Sequence, residues 1–120
     1  MRILIVDDDA QMRSCLIDEL SDSDCVLKAS ATLIDWPCDV LLIDLSSVGA
    51  MYDVTRAYRP ICQWHERHPG TTIMICSAHD SSVLADLIEM LAESGITNVE
   101  SSRKGGEMIG RLMSQLDAMR

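Results

Sequence analysis

The chain has 120 residues, 48% apolar and 24% charged, and its 19 acids against 10 bases leave a net charge of −9 at pH 7. That length suits one domain spanning 1–120 with a core that needs no metal or disulfide staple, while the acidity argues against direct nucleic-acid binding, which needs a clustered positive surface. No apolar stretch reaches membrane-spanning length, and the four apolar residues before Asp7 are too few for a signal-peptide core.

In chain order, Ile3-Leu4-Ile5-Val6 is a continuous apolar run that stops at Asp7-Asp8-Asp9. From Ala10 to Leu20, Met12, Cys15, Leu16 and Leu20 fall at helical spacing. Cys25 to Ala29 is a weaker strand. Residues 30–39 allow one or two helical turns at most, closed by Pro37, with Trp36 packing at the edge of the core. Val40-Leu41-Leu42-Ile43 is a second continuous run and ends in Asp44. Val54, Ala57, Tyr58, Ile61, Cys62 and His65 predict a helix face, stopped by His68-Pro69-Gly70. Thr72 to Cys76 reads as a strand ending at Ser77, and Val83, Leu84, Leu87, Ile88 and Leu91 mark a helix ended by Gly95. Ile96 to Ser101 is a poor strand, and Met108, Ile109, Leu112, Met113, Leu116 and Met119 mark a terminal helix.

Strand and helix alternate five times. Apolar runs without polar alternation suit strands covered on both faces, so the expected fold is an open five-stranded parallel α/β sheet with helices on both sides. The five cysteines have neither C-x-x-C nor paired Cys/His spacing. They read as buried small hydrophobes in a reducing cytoplasm.

In such a sheet, ligands sit beyond the carboxyl ends of the strands. The residues there are Asp7-Asp8-Asp9 after the first run, Asp44 after the third and Ser77 after the fourth. Converging carboxylates repel one another unless a cation lies among them, and hard oxygen ligands suit Mg²⁺ or Mn²⁺. A metal beside Asp44 would also let that carboxylate attack a phosphorus centre. Any one of these residues could simply be a helix N-cap; the joint arrangement is what points to a site.

With these residues, Ile3 to Asp9, Asp39 to Leu45 and Ile73 to Ala78, the whole chain resembles a bacterial response-regulator receiver domain. The resemblance implies the (βα)5 flavodoxin-like receiver fold. It makes Asp44 the phosphoacceptor of a two-component system and Ser77 the switch hydroxyl. The metal ligands it implies are Asp7, Asp8 and Asp44, with the backbone carbonyl of Ser46. It implies a domain that accepts a phosphoryl group rather than a conventional enzyme, with a histidine kinase or phosphotransfer protein upstream. Downstream it implies a protein partner or an appended output domain. His79, two residues past Ser77, falls where the family controls water access to the phosphoryl group. His65 and His68 read as capping residues at a helix end.

The sequence departs from the pattern at its far end. Counting from Gly95, Ser102 stands where the family has Lys, and Arg103 where it has Pro. Arg103 or Lys104 could supply the missing cation, or both could be solvated charges. Val99 stands where the family has an aromatic residue. These departures support an alternative, a pseudo-receiver that keeps the fold as a protein-interaction module without productive phosphorylation. Asp7-x-Asp9 after an apolar run is also similar to haloacid-dehalogenase-type phosphatases, but Gln11 breaks that pattern and Asp44 is left unexplained. The excess methionine of the terminal helix suggests a contact, such as a homodimer through the helices over 83–91 and 108–119.

Overall fold

The computed structural model describes residues 1–21, 24–77, 81–103, 110, 114, 117 and 118, without the side chains of Ser81 and Arg103. The strands are β1 (Arg2–Val6), β2 (Val26–Ser30), β3 (Val40–Asp44), β4 (Thr72–Ser77) and β5 (Val99–Arg103). The helices are α1 (Ala10–Leu20), α2 (Tyr58–Arg67) and α3 (Ser81–Glu93), and 3-10 turns cover Leu45–Val48 and Val54–Ala57. All strand pairings are parallel, in the order β2-β1-β3-β4-β5. This is the flavodoxin-like order, whose direction of winding reverses between β1 and β3.

The two-residue period of the strands sorts the core into two layers. Leu4, Val6, Leu41, Ile43, Ile73 and Ile75 face Ile61 and Trp64 of α2 and Leu84, Leu87 and Leu91 of α3. Ile3, Ile5, Val40, Leu42, Met74 and Cys76 face Leu16 and Leu20 of α1. Burial on both faces explains why β1, β3 and β4 are continuous apolar runs. β2, at an edge, holds no fully buried residue.

Several expectations change. Residues 31–39 form no helix; the segment runs irregularly and is fastened by side chains of α2 and of the loop before β4. Trp64 Nε1 donates to the Ile34 carbonyl at 2.9 Å, and Thr71 Oγ1 donates to the Cys38 carbonyl at 2.7 Å. Trp36 packs at the core edge as expected, under the Arg2 guanidinium at 4.2 Å. On α2 the deeply buried aromatic is Trp64, three residues past Ile61, while His65 is half-buried.

The cysteines are not all buried: Cys76 is, Cys25, Cys38 and Cys62 are half-buried, and Cys15 is exposed. The α1 interface is narrow, taken by Leu16 and Leu20, and Cys15 lies about 100° round the helix from Leu16. All five are thiols rather than disulfides. Burial pushes the Cys38 thiol up to about 11, so it is not a reactive thiolate near neutral pH. Most of the expected terminal helix lies outside the described residues.

Candidate functional site

The site is built where β1 and β3 end side by side. Val6 is level with Ile43, so Asp7 and Asp44 leave adjacent strands together at the winding reversal. Both are nearly buried, at 3% and 4% exposure, whereas Asp8 is exposed. One carboxylate oxygen from each of Asp7, Asp8 and Asp44 lies within 4.8 Å of the others.

The third acid of the run has a different task. Asp9 is the N-cap of α1, its carboxylate accepting from the Gln11 N–H at 2.9 Å. Here the bland expectation for an aspartate before a helix is the right one. Asp7 is held by its surroundings: Oδ1 accepts from the Asp9 N–H at 2.9 Å, and its carbonyl accepts from Arg13 Nη1 at 2.6 Å. A second capping aspartate, Asp53, accepts from the Thr55 hydroxyl and N–H, and these bonds hold its carboxyl below the ordinary carboxylate range.

Past Asp44 the chain enters the 3-10 turn Leu45–Val48, which Gly49 closes in the left-handed region at φ +71°. The Gly49 N–H donates to the Ser46 carbonyl at 3.2 Å. The Ser46 hydroxyl contacts both Asp8 Oδ1, at 2.7 Å, and Asp44 Oδ2. The sequence pattern points only to the Ser46 carbonyl, so this hydroxyl is a site group that sequence reasoning misses. The available signal was a serine two residues past an aspartate that ends a strand. Ser47 instead donates from its hydroxyl to the Asp44 carbonyl at 2.5 Å.

Ser77 ends β4, is 3% exposed and sits one residue past the level of Asp44, which is paired with Cys76. On β5, Ser102 is level with Cys76, and the backbone of Arg103 is level with Ser77. Counting from Gly95 therefore names Ser102, while the strand register brings Arg103 to the Ser77 level. Ser102 is buried at 6% exposure. Val99 lies at the other end of β5, level with Ile73. Lys104 and His79 lie outside the described residues.

A set of three carboxylates, two of them nearly buried, fits a hard divalent cation by its donor chemistry. It suits softer metals poorly, because among the described residues no cysteine or histidine joins the three. Among the described residues no helix is long and apolar enough to cross a membrane.

No family model and no curated protein matches the chain. Solved structures do. The fold is similar to response regulator DrrB, an OmpR/PhoB homologue of Thermotoga maritima, with a TM-score of 0.67 and 18% identity over 99% of this chain and 54% of that one. It is also similar to a response regulator from Thermotoga maritima, with a TM-score of 0.67 and 14% identity over 98% of this chain and 95% of that one. The chain spans about half the length of DrrB. With its parallel sheet in this order and its acids at the winding reversal, the chain has the flavodoxin-like fold of response-regulator receiver domains.

Proposed function

We propose that this chain is a phosphoacceptor signalling domain of a two-component system, phosphorylated on Asp44 in a Mg²⁺-dependent reaction. The observation that carries the reading is the meeting of Asp7, Asp8 and Asp44 within 4.8 Å where β1 and β3 end. An Asp44 carboxylate oxygen attacks the phosphorus of a phosphohistidine or a small phosphodonor. The P–N or P–O bond to the leaving group breaks, and an acyl phosphate remains. Asp7, Asp8 and Asp44 would hold Mg²⁺ or Mn²⁺, with the Ser46 carbonyl as a further ligand. The ion would offset the negative charge of the incoming phosphoryl oxygens. Ser77, at the end of β4, is the hydroxyl assigned to meet the phosphoryl group.

The partners that follow are a histidine kinase or phosphotransfer protein, and a downstream protein or output domain. A reducing cytoplasmic setting accords with five cysteines that form no disulfide. One observation favours the pseudo-receiver reading instead: Ser102, counted into the place of the expected lysine, is a buried hydroxyl rather than a cation. Arg103, level with Ser77, is the residue to weigh against it.

Intact mass after incubation with Mg²⁺ and acetyl phosphate decides between them. The expected result is a gain of one phosphoryl group that is lost in Asp44→Asn and without the metal. No mass gain in the unaltered protein sinks the phosphoacceptor reading and leaves the interaction module.

A further inference from the structure

A serine hydroxyl carries one proton, and it donates one hydrogen bond at a time. The Ser46 hydroxyl nonetheless touches two carboxylates, Asp8 from the loop after β1 and Asp44 from the end of β3. It spans two of the three carboxylates that form the candidate cation site. Its neighbour Ser47 has the same side chain and turns away, to the Asp44 carbonyl. A hydroxyl dipole therefore stands between two of the three carboxylates that would hold the ion.

We infer that the Ser46 hydroxyl is a placeholder for the divalent cation. It links Asp8 to Asp44 in the metal-free protein and gives up both oxygens when the ion binds. This rests on the reading that the three acids hold Mg²⁺, and it adds a residue that sets how readily they do so. The sign follows from the two end states. Removing the hydroxyl takes a donor from the metal-free state and takes nothing from the carboxylates that hold the ion. The gap between the states widens, and the ion binds more tightly. A hydroxyl that itself ligated the ion would give the opposite sign.

The test is calorimetric titration of MgCl₂ into the unaltered protein, Ser46→Ala, Ser46→Thr and Asp44→Asn, with melting temperature as a second readout. Ser46→Ala should bind Mg²⁺ roughly tenfold more tightly, the scale of one hydrogen bond to a charged group. Its metal-free melting temperature should fall, and its Mg²⁺-saturated one should match the unaltered protein. Ser46→Thr keeps the hydroxyl and should keep the original affinity. Unchanged or weaker binding by Ser46→Ala, with binding still lost in Asp44→Asn, overturns the placeholder alone. Failure of the unaltered protein to bind Mg²⁺ overturns both the placeholder and the metal reading beneath it.

Discussion

The two ends of the sheet handle charge in opposite ways. At the carboxyl end, Asp7, Asp8 and Asp44 bring like charges within 4.8 Å. At the amino end, an Arg67–Asp35 ion pair and a His68–Asp35 hydrogen bond tie down the irregular segment between β2 and β3. His68 Nε2 lies 2.6 Å from Asp35 Oδ1, and Arg67 Nη1 lies 3.2 Å from Asp35 Oδ2. Asp39 accepts from the Arg2 N–H at 2.8 Å, and Arg2 covers Trp36. His68 also packs against Trp64, the rings tilted at 38° with centroids 4.3 Å apart. One end is arranged for holding the fold together. The other gathers three like-charged groups at one edge, and such local conflict is expected where a site has work to do.

This contrast predicts effects of opposite sign. Trp64→Ala should be the most damaging: it empties a site of 5% exposure and takes one of two hydrogen bonds from the Ile34 carbonyl, leaving that from the Trp36 N–H. A loss of about 3–5 kcal/mol is expected in denaturant unfolding; a loss no larger than that of a surface substitution would break the picture of a built amino end. Asp8→Asn should do the reverse in metal-free buffer, relieving repulsion and raising stability by about 1 kcal/mol. Added Mg²⁺ should erase that advantage. If Asp8→Asn is destabilising without metal, the carboxyl end is not in electrostatic conflict.

The smallest effect concerns pH. The bond from His68, and then the Arg67 charge, hold the exposed Asp35 carboxyl below its ordinary 3.8. A lowered folded-state value stabilises the fold above the unfolded value. That contribution is lost as pH falls through the folded-state value. Asp35→Asn should therefore lower stability slightly at pH 6 and leave it unchanged well below pH 4. An equal loss at both pH values would mean that packing, not charge, ties Asp35 down.

How much of this was legible in the sequence depended on burial. β1, β3 and β4 could be read directly because both faces of each are covered, and an apolar run without polar alternation is the mark of such a strand. With those strands placed, Asp7, Asp8 and Asp44 followed, since strand ends converge at a winding reversal. The edge strand β5 was harder. Val99-Glu100-Ser101-Ser102-Arg103 carries little apolar signal, so counting from Gly95 chose Ser102, while the register raises Arg103 to the level of Ser77. Residues 31–39 suggest a turn of helix by local pattern, but their fastening is tertiary: Trp64, His68 and Thr71 are all distant in sequence. Trp64 does not stand out in the periodicity because an amphipathic face of this width offers several residues for each core position, and packing against Ile34 makes the choice.

The placing of the two tryptophans has an optical consequence. Trp36 lies over the start of β1, and Trp64 is bound to the segment that leads into β3, both at the end of the sheet away from Asp44. Intrinsic fluorescence of this protein is thus a gauge of the amino end. It will follow unfolding and the release of the 31–39 segment, while the acids lie at the opposite end of the sheet from both indoles. A reporter for the opposite edge has to be installed there, and Tyr52, 98% exposed in the loop after Gly49, is the natural position for one.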